Sequence, residues 1–372
     1  MSYSLATLWH DRQRYLPGML AVAFSAVLIA LQCGLLLGLL SVTSLPIDHT
    51  RADIWVGAAD VLSIDIGGPI SSAWMSRVYE HPEVAKVEEY CEGFSRWKKP
   101  QGGEELCIVI GSRLEDDSLG AVSALTPDLR EKLTEPNSVV IDEGELSRLG
   151  LAYGVGEYGE ILGRRVRVVG LIRGYKSLAG PYVFCSLSTA RPLIRMQAEQ
   201  TTYLLAKCHD PAQAPAVVER LKRYNDMSAF TSAEFSVRSR VHWLTKTKAG
   251  IALGYSALLG LLVGAVVTSQ TLYAAVAASL REYAILQALG IPRWRMATAV
   301  MSQSFWVGVI GIAVALPAVY GLARIAEWAG AKVLLWPELL AAVAGITLFM
   351  ALASGLAALR SLRLIEPEQL LR

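Results

Sequence analysis

The chain has 372 residues, of which 53% are hydrophobic and only 18% are charged, and its mean hydropathy is +0.38. Soluble globular proteins seldom reach this composition, so we expect an integral membrane protein. The formal net charge of +2 argues against nucleic-acid binding, which requires a strongly basic surface.

Four apolar runs are long enough to cross a hydrocarbon core of about 30 Å as helices of about 20 residues. They lie near Leu16–Leu45, Ile251–Leu280, Met296–Ala323 and Leu339–Leu359, and none contains a charged side chain. Between the first two lies a stretch of about 200 residues with ordinary polar composition, which is the size of a compact domain. The sequence therefore predicts four transmembrane α-helices with an extracytoplasmic domain inserted between helices 1 and 2.

The inserted domain has the pattern of an α+β fold, since short β-branched segments bounded by turn residues alternate with helical segments. The third predicted helix has Ser232 as a possible N-cap and runs directly into the second span, which predicts a nearly continuous rod of about 45 residues. The predicted strands are Ala52–Val61, Val84–Lys98, Glu105–Gly111, Ser138–Ile141, Gly163–Ile172, Pro181–Cys185 and Thr201–Lys207, and the predicted helices are Ser71–Glu80, Ala212–Tyr224 and Ser232–Thr247.

Arginines of the short segments indicate the orientation of the chain. They lie before the first span, between the second and third, and after the fourth, so the positive-inside rule predicts cytoplasmic termini and a periplasmic domain in an inner-membrane protein. Four basic residues before the second span run against the rule, but long domains translocate largely regardless of charge. These four residues are Arg238, Arg240, Lys246 and Lys248.

The predicted organisation has nine parts. They are a cytoplasmic amphipathic N-terminal segment (1–15), transmembrane helix 1 (16–45), the periplasmic α+β domain (46–248), transmembrane helix 2 (249–280), a cytoplasmic loop (281–295), transmembrane helix 3 (296–323), a short external loop (324–337), transmembrane helix 4 (338–360) and a cytoplasmic tail (361–372).

Chemical motifs are sparse in the inserted domain. The sequence has no His-Glu-x-x-His, no Gly-x-Ser-x-Gly and no metal-ligand spacing, so we expect neither a catalytic nor a metal site, and no residue is assigned to substrate binding. One strand carries three closely spaced arginines, Arg164, Arg165 and Arg167. This pattern is compatible with an anion-binding strand, but it favours a half-exposed strand with a solvated face. Cysteines in this domain allow disulfides in an oxidising compartment or pack reduced as small hydrophobic residues. They are Cys91, Cys107, Cys185 and Cys208.

Small residues recur at four-residue spacing in the first two spans, which allows close helix approach either in a homodimer or within one subunit. Polar residues in the apolar runs, among them Gln32 and Thr268, are predicted to form hydrogen bonds between helices. The candidate packing glycines are Gly34, Gly38, Gly254, Gly260 and Gly264.

The loop between the second and third spans, LREYAILQALGIPRWRM, has helix formers through Leu289, then Gly290 at a helix C′ position and Pro292 at an N1 position. It predicts a helix, a sharp turn and a second helix that together dock against a partner. The alternative is an interfacial hairpin anchored by Trp294 and arginines at the headgroup level.

The pattern Arg281-Glu282-x-Ala284-x-Leu286-x-Ala288-Leu289-Gly290, followed by basic residues, resembles the cytoplasmic loop of FtsX/MacB-like ABC transporter permeases. The layout of one span, an external domain and three spans is similar as well. Within this family the chain looks most like the DevC type, through ADIWVGAADVL from Ala52, FSRWKKP from Phe94 and the terminal RLIEPEQLLR.

The resemblance implies a non-catalytic permease subunit that forms a homodimer in the lipid bilayer and binds a separate cytoplasmic ATPase. No G-x-x-x-x-G-K-[ST] phosphate loop occurs, so we expect no cofactor in this chain, with ATP and Mg²⁺ on the partner. The residues that this resemblance places at the ATPase contact are Arg281, Glu282, Tyr283, Leu286, Gln287, Leu289, Gly290 and Arg293.

The function implied is export of a lipid, glycolipid or other hydrophobic substrate by transmission of ATP-driven motion, with a periplasmic adaptor protein and an outer-membrane channel. One alternative is a device that uses the same motion to regulate an envelope enzyme or sensor without transport. Another is a membrane receptor or adhesion protein whose cytoplasmic loop is merely interfacial.

Overall fold

The computed structural model of the chain describes residues 12–177, 179–277, 292–328 and 332–362. Its helices are α1 (Arg12–Val42), α2 (Leu45–Asp48), α3 (Met75–Tyr79), α4 (Pro127–Leu133), α5 (Leu146–Leu149), α6 (Leu187–Leu193), α7 (Ala214–Leu221), α8 (Ser232–Lys246), α9 (Lys248–Ala277), α10 (Arg293–Trp328) and α11 (Pro337–Leu362). Its strands are β1 (Ile54–Ala58), β2 (Ile70–Ser71), β3 (Val84–Lys98), β4 (Glu104–Ser112), β5 (Ser138–Asp142), β6 (Tyr158–Ile161), β7 (Arg164–Ile172), β8 (Tyr182–Ser186), β9 (Gln200–Thr201), β10 (Tyr203–Cys208) and β11 (Met227–Thr231).

These elements form two compact units, a membrane unit that extends to Leu39 and resumes at Lys248, and an inserted domain from Leu40 to Thr247. Within the described residues, four segments are long and apolar enough to cross a membrane. The order of one apolar helix, a mixed α and β domain and three apolar helices confirms the predicted fold class. The four segments are Tyr15–Val42, Gly250–Thr271, Ala297–Trp328 and Pro337–Leu356.

The helices of the membrane unit pack through small side chains. Ala26 and Ile29 of α1 lie in one buried cluster with Ala315 and Val319 of α10 and with Val343 of α11. Membrane helices are apolar on every side, so close contact depends on small residues rather than on an apolar stripe. This cluster fixes α1 against α10 and α11.

The inserted domain is built on a sheet with the strand order β11-β1-β10-β3-β4-β8-β5-β7-β6. The 15-residue strand β3 pairs antiparallel with β10 through its first half and with β4 through its second. Its last residues also pair with β6, where Trp97 lies opposite Ile161. This pairing closes β3, β4, β8, β5, β7 and β6 into a ring, so both edges of that part of the sheet are paired.

Alternation along the strands sends side chains to two faces of the sheet. On one face Trp55, Tyr90 and Tyr203 form an aromatic core with Phe235 of α8. On the other face, one cluster packs β1, β10 and β11 against α7 and a second fills the ring. Because α8 covers the aromatic face, a single helix contributes to the core and then leads along the chain to the second span.

The strand β3 has the predicted bounds and the other predicted elements are present with shifted ends. The strands β2, β6 and β11 and the short helices α2, α4, α5 and α6 were not predicted. The N-cap assignment to Ser232 is wrong by one residue. Thr231 has an extended backbone and its Oγ1 accepts a hydrogen bond of 3.2 Å from the Glu234 amide. The Ser232 hydroxyl instead donates to the Ala52 carbonyl at 2.5 Å, which ties the start of α8 to the segment before β1.

The nearly continuous rod predicted from α8 into the second span is interrupted at one residue, since α8 ends at Lys246 and α9 begins at Lys248. Thr247 between them has φ −94° and ψ 144°, an extended conformation. Its hydroxyl donates to the Trp243 carbonyl at 2.5 Å, four residues earlier. Threonine hydroxyls that bond to a preceding carbonyl in this way compete with the helical backbone bond and bend or end helices.

Candidate functional site

Most residues predicted to contact the ATPase lie between 278 and 291, outside the described residues: Arg281, Glu282, Tyr283, Leu286, Gln287, Leu289 and Gly290. The remaining one, Arg293, is the first residue of α10. Next to it, Trp294 is 63% exposed and the Arg295 guanidinium lies 5.3 Å from the centre of its ring. An exposed tryptophan paired with an arginine is typical of the headgroup region of a membrane protein.

The two candidate glycines of α1 face the segment before α11. A Cβ added to Gly38 would lie 1.9 Å from the carbonyl oxygen of Lys332, and one added to Gly34 would lie 3.0 Å from Val333. The Gly34 carbonyl also accepts a hydrogen bond of 3.0 Å from the Leu334 amide. Both glycines therefore serve contacts within one subunit.

The candidate glycines of α9 face α1. A Cβ added to Gly260 would lie 2.6 Å from the Leu28 side chain, and one added to Gly264 would lie 3.2 Å from Ser25. Gly254 is half-buried in the same helix. These contacts again lie within one subunit, and the proposed dimer contact of these residues stays a prediction.

A hydroxyl pair joins α1 to α9 beside Gly264. The Oγ of Ser25 lies 2.9 Å from the Oγ1 of Thr268 and 3.0 Å from the Gly264 carbonyl oxygen. Both side chains are fully buried. Thr268 thus forms the helix-to-helix hydrogen bond predicted from the sequence.

Within the inserted domain, α2, which follows the first span, contacts α8, which precedes the second. Asp48 lies at the centre: its Oδ2 is 2.6 Å from Arg240 Nη2 and accepts from Ser44 Oγ at 2.7 Å, while its Oδ1 accepts from Ser236 Oγ at 2.7 Å. Arg240 Nε also donates to Ser44 Oγ at 2.8 Å. We call these four residues the α2–α8 junction.

The junction is a half-buried network rather than a surface ion pair. The side chains of Arg240 and Asp48 are 35% and 31% exposed, so solvent screens their attraction in part. Each charged group also takes neutral hydroxyl partners, and hydrogen bonds of this kind contribute about 1.5–3 kcal/mol before screening. A groove of about 420 Å³ lies along the junction, with Ile47 and Val237 on its walls.

Two of the basic residues that run against the positive-inside rule are used by the fold of this domain. Arg240 belongs to the junction, and Arg238 Nε donates to the Val61 carbonyl at 2.9 Å while its guanidinium lies 5.0 Å from the Phe230 ring centre. Their charges are therefore balanced or bonded inside the domain, which accounts for their presence before the second span.

A second contact joins α8 to residues 61–66, which we call the 61–66 segment. The Ile64 amide donates to Ser239 Oγ at 3.2 Å, and Trp243 Nε1 donates to Asp65 Oδ1 at 3.2 Å. From the sheet, the Tyr203 hydroxyl donates to the Ile64 carbonyl at 2.5 Å. The 61–66 segment thus lies between α8 and β10 and is bonded to both.

Neither of these two contacts of α8 was predicted from the sequence. Asp48 and Arg240 are 192 residues apart, and no local spacing joins them. A signal was nevertheless present, because Ser232, Ser236 and Ser239 recur on one face of α8 at helical spacing. Small hydroxyl residues in such a row indicate a face that lies close to other parts of the chain.

The cysteines are packed as small hydrophobic residues. Those of the described residues are free, and Cys91, Cys107 and Cys185 lie in the cluster that fills the strand ring. Burial raises the pKa of the Cys91 thiol to about 11 and that of Cys107 to about 12. These thiols therefore carry almost no thiolate at neutral pH, and the reduced alternative of the sequence analysis holds.

The arginines of β7 lie as expected for a solvated strand face, and the described histidines belong to no cluster that could hold a metal ion. The Arg165 guanidinium lies 3.8 Å from the Tyr158 ring centre, Arg167 lies 3.9 Å from Glu135, and Arg164 is exposed, as on a solvated strand face. Over the part of the chain that the structure describes, no group of three His, Cys, Asp or Glu side chains is placed to hold a metal ion.

Solved structures with some similarity include extracytoplasmic domains of transporters. The periplasmic region of MacB from Actinobacillus actinomycetemcomitans matches with 14% identity over 54% of this chain and 97% of its own, with a TM-score of 0.36. The extracellular domain of the noncanonic ABC-type transporter YknZ from Gram-positive bacteria matches with 8% identity over 48% and 98%, with a TM-score of 0.32. A domain of a putative permease protein from Porphyromonas gingivalis matches with 14% identity over 49% and 90%, with a TM-score of 0.30.

A comparison with curated protein sequences gave no match. Family models do match, and between them they cover both units of the chain. The MacB-like periplasmic core domain matches residues 19–224, more than half of the sequence, and the FtsX-like permease C-terminal model matches residues 255–367. The chain therefore belongs to the FtsX/MacB-like family of ABC transporter permeases, inner-membrane subunits that work with an ABC ATPase.

Proposed function

We propose that this permease transmits ATP-driven motion from a cytoplasmic ATPase to its inserted domain, which lies in the periplasm while both termini are cytoplasmic. The observation that carries the proposal is the α2–α8 junction. Asp48 follows the first span and Arg240 precedes the second, and the two are bonded directly. A displacement of either span then reaches the domain at one shared site.

The composition of the spans favours mechanical transmission over passage of ions through the membrane. The four apolar runs contain no charged side chain, whereas many ion and proton paths through a bilayer are marked by ionisable groups. The loop with Arg281, Glu282 and Tyr283 receives the motion from the ATPase, which binds ATP and Mg²⁺. An exposed charged pair sets the register of such a contact even when it contributes only about 1 kcal/mol.

The proposed machine is a homodimer of this subunit with its ATPase, a periplasmic adaptor protein and an outer-membrane channel. Its substrate class is a lipid, a glycolipid or another hydrophobic molecule. The resemblance of three sequence segments to DevC-type permeases supports this class. Regulation of an envelope enzyme by the same motion is the alternative, and the external protein that co-purifies with the chain separates the two.

The test of the ATPase contact uses the full chain in lipid nanodiscs with a candidate ABC ATPase subunit from the same organism. The double variant Arg281→Glu, Glu282→Arg is expected to lose ATPase binding by at least tenfold. The matched control is Arg324→Glu, which reverses an arginine at the opposite end of the third span and is expected to bind normally. Failure of the wild-type chain to retain any ATPase supports the receptor alternative instead.

The test of transmission uses Asp48→Asn in the same complex. The variant is expected to keep ATPase binding and basal hydrolysis while losing most of the stimulation of hydrolysis by the adaptor and substrate lipid. If ATP hydrolysis by this variant is stimulated as strongly as in the wild type, the junction does not transmit the motion. If neither the adaptor nor any lipid tested stimulates ATP hydrolysis by the wild-type complex, the export function is contradicted.

A further inference from the structure

The strand β3 carries a carboxyl group in the aromatic core with no hydrogen-bond partner in the described structure. Glu92 is 4% exposed, and neither of its carboxyl oxygens is bonded to any described residue. The Tyr90 hydroxyl and the Trp55 indole nitrogen, both in the same core, are buried and without a described partner as well. Buried polar groups are nearly always bonded, so a group of three that is not requires an explanation.

Glu88 on the same strand is a buried glutamate that, unlike Glu92, has a hydrogen-bonded carboxyl oxygen and an ion-pair partner. It lies four residues earlier on the same face and is fully buried. Its Oε2 accepts from the Leu119 amide at 2.9 Å and from Ser118 Oγ at 3.0 Å, and its Oε1 lies 2.7 Å from Lys86 Nζ. The missing partners of Glu92 are therefore a local property of its position.

One acidic and three phenolic groups interact with Glu92, and β3 packs directly against the turn at Ile64–Ile66. Asp65 lies on the 61–66 segment, Tyr182 on β8 and Tyr203 on β10, and Tyr90 lies two residues away on β3. Burial raises the pKa of the Glu92 carboxyl well above its ordinary value of 4.5, and the Asp65 charge raises it further. The side chain therefore keeps its proton at pH values that ionise an exposed glutamate.

The 61–66 segment connects this acid to α8. Asp65 accepts a hydrogen bond from Trp243 of α8, and Tyr203 beside Glu92 donates to Ile64. We propose that Glu92 is a proton-controlled latch: while its carboxyl group is neutral the 61–66 segment stays on the sheet, and ionisation beside Asp65 displaces the segment and its bonds to α8.

Protonation of Glu92 and the position of the 61–66 segment affect each other, since thermodynamic linkage is reciprocal. Loss of the proton favours displacement of the 61–66 segment, and displacement of α8 exposes Glu92 to water and favours loss of the proton. The inference holds whether or not the chain exports a substrate, because it concerns the inserted domain alone.

Hydrogen–deuterium exchange of the full chain in nanodiscs tests the latch, with each rate divided by the intrinsic rate at the same pH. If displacement requires one deprotonation, the protection of the 61–66 amides falls about tenfold per pH unit between the ordinary and the raised pKa of Glu92 and then levels off. Glu92→Gln is expected to abolish this fall.

Glu88→Gln is the control, a buried glutamate of the same strand, and is expected to retain the pH-dependent fall in the 61–66 peptides. If Glu92→Gln does not fold, Glu92→Met replaces it and is expected to behave in the same way. Protection that is independent of pH in the wild type, or a wild-type pH dependence in the Glu92 variant, overturns the proposal.

Discussion

Two regions hold α8 in the inserted domain, and each contains one central carboxyl group. At the α2–α8 junction both oxygens of Asp48 are bonded, to Arg240, Ser44 and Ser236. Beside the 61–66 segment, both oxygens of Glu92 lack a described partner. The difference separates a contact that resists displacement from one that, in our proposal, is released when a single carboxyl group loses its proton.

The largest expected effect is at the junction. Asp48→Leu leaves the Arg240 guanidinium and two hydroxyls without their acceptor, and we expect a loss of about 2–3 kcal/mol in the free energy of unfolding of the inserted domain. Urea unfolding of the full chain followed by tryptophan fluorescence measures it. A double-mutant cycle with Arg240→Met gives the interaction energy between Asp48 and Arg240. A coupling energy near zero shows that this ion pair does not stabilise the junction, and the junction then no longer differs from the Glu92 region.

Glu92→Gln is expected to act in the opposite direction and to raise the free energy of unfolding by about 1–2 kcal/mol at pH 7. The folded-state pKa of Glu92 is raised above 4.5, so the folded domain holds a proton that the unfolded chain releases. Wild-type stability therefore falls as the pH rises from about 4.5 to the raised pKa.

The same unfolding measurement, repeated from pH 5 to pH 8, should show a smaller slope for Glu92→Gln than for the wild type. If Glu92→Gln is less stable than the wild type throughout this range, the Glu92 carboxyl group has a stabilising partner. In that case Glu92 and Asp48 do not differ in the way proposed.

The hydroxyl pair of the membrane unit provides a scale for the first two effects. Thr268→Val removes the bond to Ser25 with little change in shape, and we expect a loss of about 0.6 kcal/mol, the average for a hydrogen bond between membrane helices. Steric-trap or SDS unfolding of the full chain measures it. A loss as large as that of Asp48→Leu shows that the junction is not an unusually strong contact.

The smallest expected effect is at Thr247. Thr247→Ala removes the hydroxyl bond to Trp243 and introduces the best helix former, which favours the helical state by about 0.5 kcal/mol. Spin labels on the exposed residues Val241 and Tyr255 should show a narrower distance distribution in the variant. An unchanged distribution shows that the break depends on more than this side chain.

Local patterns in the sequence were sufficient to predict four apolar helices with an α+β domain between the first and the second. Uninterrupted apolar runs locate the spans, and period-2 alternation locates long strands such as β3. The strand Met227–Thr231 was not predicted because its five residues show no regular alternation of apolar and polar side chains. The contact of Asp48 with Arg240 was not predicted because it joins residues that are distant in the sequence. The extended residue Thr247 was not predicted because no Gly or Pro marks a helix end there.

The predicted contact with the ATPase is the reverse case. A ten-residue pattern from Arg281 to Gly290 was sufficient to suggest the family, which the family models then confirmed for the chain as a whole. Its roles at the ATPase stay predictions, since those residues lie outside the described ranges. A local sequence pattern was thus sufficient to suggest the family. The junction and the unbonded carboxyl group of Glu92 became apparent only from the three-dimensional contacts.

The extended residue Thr247 has a consequence for how force travels along this chain. Helical hydrogen bonds make a rod stiff in bending and in torsion, and the ladder is interrupted between Lys246 and Lys248. A single extended residue carries tension through its covalent bonds but transmits little torque. This one extended residue lies where the inserted domain ends and the membrane unit resumes along the chain.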